Sequence, residues 1–393
     1  MTANAVATRQ DTPFRTLITN LDDMYELVDS YAEENDAQGR IAEEVLEAVH
    51  ASGITRAMMP REFGGLELRP TELLTANRTL SYADPSTGWV SMAYAFLNGL
   101  AGAFLEPEVV EELLGSHHLA IAGQGTRPGK AERSGDGYVL SGRFFFGSGV
   151  KHATHIHTAA VDSATGEPRF FLVPAEKVDF IENWDVMGLR ATGSIDYTLD
   201  AVHIPAKYSY ATLSTNPITG GSLYHVGIGN FASINHGGWA LGVGRRILDE
   251  VAKIVRRKAE KPGSIAENAS FHEQYATAEL RLRSAHALLY DAWAQIEDAL
   301  YVHGQGTVPM ELQTLNRAAL VNATRALEDI AAFAYRTAGS EALRRGTLQR
   351  LFRDVHGGMQ HISSSAQVLQ STGRYFAGLA DGQKWVHFDL KRG

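Results

Sequence analysis

The sequence predicts an α+β chain with an N-terminal α-helical domain, a central antiparallel β-barrel or sandwich, and a C-terminal four-helix bundle. Three observations carry this. Apolar residues recur at helix spacing in the first third of the chain. From Ala120 to about Tyr210 the chain turns rich in Gly, Thr, Val and Phe and alternates in short runs. Beyond it, apolar stripes at helix spacing return. The 393 residues suffice for two or three packed units. The expected boundaries are 1–20 for a disordered tail, 21–118 for the helical domain, 119–222 for the β-domain and 223–393 for the bundle.

In the first unit, Ile41, Val45, Leu46 and Val49 share a helix face, and Gly53 closes that helix. Pro60 to Gly65 reads as a turn. Pro70 opens a second helix, and Asp84-Pro85-Ser86 has the form of a helix start with proline in the first turn. Pro107 opens a short helix ending near Gly115. In the middle unit the expected strands are Tyr138–Phe146, His155–Val161, Phe170–Val173, Ser194–Leu199 and Val202–Ile204. Asn216–Gly221 reads as a linker. In the last unit, one stripe runs through Leu241, Gly244, Ile247, Leu248, Val251, Ile254 and Val255. A second holds Ala278, Leu282, Ala285, Leu289 and Trp293. A third holds Leu315, Ala319, Asn322, Ala326 and Ile330, and a fourth runs from Thr347 to about Phe376. Four such helices predict an antiparallel bundle.

Composition narrows the function. A formal net charge of −9 argues against a nucleic-acid partner, which needs a basic face. Arg256-Arg257-Lys258 reads as a solvated helix end. There is no cysteine, so disulfides and thiolate chemistry are excluded. No apolar run reaches the ~20 residues of a membrane span, and Met1 to Pro13 lacks the apolar core of a signal peptide. These features predict a cytoplasmic protein without a membrane partner. His155 and His157 share a strand face near His152, but no acidic residue lies close by, and no metal site is expected. Gly227 to Ala232 matches the spacing of a dinucleotide fingerprint, yet no buried strand precedes it. Ser148 to Lys151 matches a Ser-x-x-Lys box without its partner motifs.

The segment from Gly137 to His155 is the most informative. A strand ends in the aromatic run Phe144-Phe145-Phe146 and closes on Gly147-Ser148-Gly149. That places a flat apolar wall beside a hydroxyl and backbone amides, which suits a flat heterocycle such as a flavin ring.

Four motifs in order resemble the acyl-CoA dehydrogenase superfamily over nearly the whole chain. They are Pro60-Arg61-Glu62-Phe63-Gly64-Gly65, Met187 to Ser194, Val202-His203-Ile204-Pro205 and Arg353-Asp354. Within it, the chain resembles the two-component flavin-dependent monooxygenases of group D. Dehydrogenases of the superfamily use a glutamate as base, and the matching positions here, Ile362 and Phe231–Ser233, hold no carboxylate. His361 follows Arg353-Asp354 at the spacing of the group D histidine, and an imidazole can give or take a proton near neutrality. Phe146-Gly147-Ser148-Gly149 resembles the group D aromatic-x-Ser-Gly loop. Gly123-Gln124-Gly125-Thr126 resembles a second loop facing the flavin, with glutamine where a histidine or asparagine is common.

The resemblance implies a reaction and a set of roles. An aromatic or heteroaromatic substrate (a phenol, an indole or a polycyclic compound) would be hydroxylated with O2 and reduced FAD or FMN. A separate flavin reductase would supply the flavin, and the reaction would pass through a flavin C4a-hydroperoxide. His361, Ser148 and Gln124 are the implied catalytic residues. Phe146, Gly147, Ser148, Gly125, Thr126, Arg281 and Arg353 are the implied cofactor contacts. Trp89, Asn235, His236 and Trp239 are candidates for the substrate pocket. A homotetramer is implied, with flavin between the β-domain and the bundle. An acyl-CoA dehydrogenase-type oxidoreductase with a relocated base, or a non-catalytic scaffold, would use the same fold.

Overall fold

The computed structural model describes residues 12–115, 118–212 and 214–392. The expected tail at 1–20 falls mostly outside them. Its end does not: Thr12 caps the first helix, α1 (Pro13–Asp23), and Leu17 and Leu21 are buried, so residues 13–20 belong to the packed helical domain. The N-terminal helices continue as α2 (Tyr25–Gln38), α3 (Glu43–Ser52), α4 (Pro70–Ala83), α5 (Pro85–Phe104) and α6 (Pro107–Leu114). Two cues place α5. Asp84 accepts the Thr87 N–H at 2.8 Å and its hydroxyl at 2.9 Å, and Pro85 fills the first helical position. The helix is apolar on nearly every side because α4, the sheet and the C-terminal helices all pack on it.

The central unit is one seven-stranded sheet in the order β5-β6-β2-β1-β3-β4-β7. Its strands are β1 (Ile121–Ser134), β2 (Gly137–Gly147), β3 (His155–Asp162), β4 (Pro168–Pro174), β5 (Asp179–Ile181), β6 (Ile195–Pro205) and β7 (Ser209–Ala211). Two points differ from expectation. The sheet is mostly antiparallel, but β1 and β3 run parallel. And β1 itself, which contains Pro128 and three glycines, has no strand signature. Its pairing is imposed by β2 and β3, and the ladder to β3 is interrupted between Gln124 and Gly129. The runs expected at 194–199 and 202–204 form the single strand β6.

The C-terminal helices are α7 (Ile228–Lys258), α8 (Ala269–Glu297), α9 (Met310–Ala338), α10 (Ser340–Leu343), α11 (Thr347–Gly358) and α12 (Ala366–Phe376), followed by the hairpin β8 (Gln383–Val386) and β9 (Asp389–Arg392). The first two expected stripes are buried throughout. On the third, Asn322 faces out and Ala323 packs inward. The fourth is two helices rather than one. It breaks after Gly357-Gly358, and a 3₁₀ turn at Ile362–Ser364 joins the halves. Adjacent glycines weaken the helix there. Among the described residues, no helix is long and apolar enough to cross a membrane.

Candidate active site

The break between α11 and α12 delivers His361 to the N-terminal end of α5 and the first third of α7, beside the loop that follows β2. His361 and His236, from α7, stack with ring centroids 4.0 Å apart and planes at 23°. Trp89, from α5, meets His236 edge-on at 4.8 Å, Trp239 at 5.3 Å and His361 at 5.9 Å. Trp239 is buried and donates its indole N–H to the Pro85 carbonyl at 3.0 Å. Its ring lies against Gly358, where a Cβ would stand 2.4 Å from a ring carbon. Only glycine allows α11 to come this close, and His361 follows three residues later.

The Phe146–Gly149 loop is shaped by a β-bulge. Phe144 pairs with Tyr197 but Gly147 with Ile195, so β2 carries one extra residue over that interval. Phe146 takes the left-handed conformation, φ 63°. Simple alternation puts Phe146 on the buried face of Phe144. The bulge instead turns it outward, 66% exposed, with Trp184 edge-on at 6.2 Å. Behind it, Gly149 donates to the Thr192 carbonyl at 2.9 Å, and Tyr94 donates to the Gly149 carbonyl at 2.7 Å.

The hydrogen on Ser148 can be assigned. Thr192 donates its hydroxyl to the Leu189 carbonyl at 2.7 Å, because a carbonyl only accepts. Ser194, 2.7 Å from Thr192, must then donate to it. Ser148, 2.8 Å from Ser194, must donate in turn. The Trp89 indole N–H donates to Ser148 Oγ at 3.1 Å. Ser148 is left with a free lone pair and no free hydrogen, so it offers an acceptor.

The histidines are neutral and differ in tautomer. Nδ1 of His236 lies 3.0 Å from the Ala232 carbonyl, so it carries the hydrogen and Nε2 carries the lone pair. His361 is the reverse. The Ser363 backbone N–H points at its Nδ1 from 3.3 Å and the Ser363 hydroxyl lies at 2.7 Å, so Nδ1 accepts and Nε2 holds the hydrogen. Burial lowers His236 to about 4. Burial, then the neighbouring His236, lowers His361 well below the usual range.

Arg353 and Asp354 hold the Met187–Ser194 segment. Arg353 donates to the Met187 carbonyl at 2.8 Å and forks onto Asp36 at 2.7 and 3.2 Å. Asp354 accepts the Leu189 N–H at 2.6 Å. Gly188 lies so close to this helix that a Cβ would stand 1.9 Å from the Arg353 carbonyl oxygen. Buried Asp354 is pushed up to about 7, first by desolvation and then by Asp84, whose own carboxyl burial also raises.

The sequence-derived candidates therefore divide. Ser148, Phe146, Gly147, Trp89, Trp239, His236 and His361 come together. Gln124 spends its amide on its own loop: Oε1 accepts from Thr126 N at 2.8 Å, Thr126 Oγ1 at 3.0 Å and Arg127 N at 3.3 Å, and Nε2 donates to the Arg127 carbonyl. That brace leaves Gly125 and Thr126 exposed. Asn235 is buried and accepts from Asn77 of α4 at 3.2 Å, at a helix interface. Arg281 pairs with Asp329 on the exposed side of α8 and α9, and Arg353 is committed to Asp36, so neither cation is free within the chain. Thr192, Ser194, Trp184 and Ser363 were not singled out from the sequence. Thr192 and Ser194 stand in the quoted Met187–Ser194 motif, which was their signal. Nothing local marks Trp184 or Ser363.

Residues 24–105 match the family model of the acyl-CoA dehydrogenase N-terminal domain, and residues 234–366 match that of the C-terminal domain. The chain belongs to the acyl-CoA dehydrogenase family. Among relatives, indole-3-acetate monooxygenase of Pseudomonas putida is 28% identical, covering 88% of this chain and 89% of its own. The flavin-dependent monooxygenase, oxygenase subunit HsaA, of Rhodococcus jostii is 28% identical, over 89% and 96%. The crystal structure of 3-HSA hydroxylase from Rhodococcus sp. RHA1 superposes with a TM-score of 0.86 at 24% identity, over 93% and 97%, which shows the shared fold.

Proposed function

We propose that this family member is the oxygenase component of a two-component flavin-dependent monooxygenase, hydroxylating an aromatic or heteroaromatic ring. One observation carries the reading. The positions where a dehydrogenase of the family would place its base hold no carboxylate, and two neutral imidazoles stand beside them instead. Ile362 is 48% exposed, and Phe231 is buried against Phe96 at 5.5 Å. No carboxylate there can take an α-proton, so dehydrogenation loses its first step.

The residues present fit a flavin. Phe146 offers an exposed aromatic face next to Trp184, and Ser148 offers an acceptor held in place by Trp89 and Ser194. An acceptor matches the N–H of a reduced flavin ring better than the bare nitrogen of an oxidised one. When bound, reduced FAD or FMN supplies the electrons that activate O2. The chain's part is to orient the ring through Ser148 and the loop braced by Gln124, and to hold a proton on His361 Nε2. Trp89 and Trp239 wall off the cluster and favour an aromatic substrate. A separate reductase would deliver the flavin, consistent with the relative described as an oxygenase subunit. Assembly as a homotetramer in the cytoplasm completes the reading.

The test is anaerobic mixing of the protein with reduced flavin, then oxygenated buffer and an aromatic substrate, with product and H2O2 quantified. Hydroxylated product in place of H2O2 is the expected result. Immediate return of oxidised flavin with stoichiometric H2O2 across a panel of phenols and indoles, together with bleaching of oxidised flavin by an acyl-CoA, would overturn it in favour of dehydrogenation.

A further inference from the structure

A cleft of about 850 Å³ opens where α1, α2, α4, α7 and α8 meet, and none of the residues around Trp89 lines it. We propose that this cleft is a second binding site, for a monocarboxylate carried on a flat apolar body, with Arg78 as the group that takes the carboxylate. The inference does not depend on the reaction catalysed at the other site. The cleft and the Trp89 cluster share α7 but not a face of it. Arg245 lines the cleft and follows His236 by nine residues, which at about 100° per residue places it on the opposite side of the helix.

Four basic side chains line the cleft, and three are accounted for. Arg245 pairs with Asp249 at 2.8 Å and with Glu279 at 2.6 Å, and Arg283 pairs with the same Glu279 at 2.7 Å. His286 is neutral. Its Nε2 accepts from Arg78 at 2.9 Å, because a guanidinium only donates, and burial followed by the neighbouring Arg78 lowers its pKa. Arg78 itself has no carboxylate partner among the described residues. Its bond to His286 aims the guanidinium, and His286 is held in turn by stacking on Tyr290 at 4.2 Å. The other N–H groups of this half-buried planar fork are unmet, and a carboxylate matches them bidentately.

The rest of the lining selects the body and the charge. Leu21, Leu241 and Leu282 make it apolar, and Tyr25 and Tyr82 add two aromatic rings with centroids 5.8 Å apart. Such a lining favours a flat apolar ligand. Gly242 brings α7 against the backbone of α4: a Cβ there would stand 2.3 Å from the Arg78 carbonyl oxygen, so Arg78 is fixed relative to the apolar lining. Of the two acids on the lining, Glu279 is taken by Arg245 and Arg283, whereas Asp22 is exposed and forms no ion pair among the described residues. A phosphate dianion would meet Asp22 with one free cation to offset two charges. A monocarboxylate needs only Arg78.

The test is calorimetry on the full chain with 2-naphthoate and the uncharged 2-naphthamide, at low and high salt. The acid should bind about tenfold or more tightly than the amide at low salt, and the advantage should shrink at high salt. Arg78→Met keeps the stem and drops the charge, and should bring the two ligands within about threefold of each other. Arg78→Lys keeps a charge without the fork and should retain part of the preference. Thr79→Trp fills the cleft while keeping Arg78, and should weaken the acid about tenfold. Circular dichroism and a urea titration check that each variant is folded, and Thr79→Trp decides if Arg78→Met is not. Equal affinity for acid and amide, no binding of either, an acid preference that survives Arg78→Met, or a Thr79→Trp chain that binds the acid as the parent does would each overturn the inference.

Discussion

Asp354 accepts the backbone N–H of Leu189 at 2.6 Å, which ties α11 to the turn that carries Thr192 and Ser194. Among the described residues its other oxygen is buried without a hydrogen-bond partner, and Arg350 Nε, also without a hydrogen bond, forms an ion pair with Asp84 at 3.9 Å. The Arg-Asp motif thus acts as a latch behind the hydroxyl chain that fixes Ser148, with two buried carboxyls at its centre.

That latch gives stability a pH dependence. Asp354 titrates at about 7 in the folded chain, against an ordinary value of 3.8. A raised carboxyl means the folded state keeps a proton that the unfolded state has lost, so stability falls as pH rises from about 4 to about 7 and then levels. Asp84 acts in the same direction. Asp354→Asn keeps the acceptor for Leu189 and removes the ionisation. Denaturant titrations at pH 5 and pH 8 should show a smaller difference for the variant, by up to ~2.7 kcal/mol. An unchanged difference would mean Asp354 is not the titrating group.

Ser148→Ala removes the acceptor for the Trp89 N–H and the donor to Ser194, at a cost of roughly 1–2 kcal/mol. The larger effect should be functional. The fraction of reduced flavin consumed as H2O2 should rise severalfold, and the same is expected of His361→Ala. Unchanged coupling in both variants would remove these residues from the proposed roles.

Phe146 holds a left-handed conformation that costs a side-chain-bearing residue about 1–2 kcal/mol. Phe146→Gly should recover part of that in thermal unfolding while weakening flavin binding, because the exposed aromatic face is lost. Phe146→Ala should weaken flavin binding without the gain. A Gly variant that binds reduced flavin as tightly as the parent chain would show that the ring is no part of the cofactor wall.

Gly358→Ala drives a methyl group into the Trp239 ring. Overpacking of this kind costs roughly 1–3 kcal/mol. Because the displaced backbone leads into His361, the 4.0 Å stack with His236 should loosen. Far-UV and near-UV circular dichroism with a urea titration would read this as lowered stability with helix content retained. An alanine variant as stable as the parent would mean that α11 and α7 are not held at this separation.

By itself, the sequence determined the order of helices, strands and helices, most of the buried stripes, the family motifs and the loop at Phe146–Gly149, because each is written in local spacing. Ser148 and His361 were legible for the same reason: each sits at a fixed distance from a motif. The tertiary structure decided the rest. Two glycines split what reads as one helix, and the split carries His361 to His236, 125 positions earlier in the chain. A bulge reversed the face of Phe146. The hydrogen on each imidazole was set by a neighbouring carbonyl or N–H, and the acceptor role of Ser148 by a chain of hydroxyls ending at Leu189. Arg353 and Gln124 match their motifs in type, yet the folded chain spends their polar atoms on Asp36 and on the Gln124 loop. Spacing records which groups are present, whereas hydrogen-bond direction and the pairing of charges depend on which distant groups the fold brings within reach.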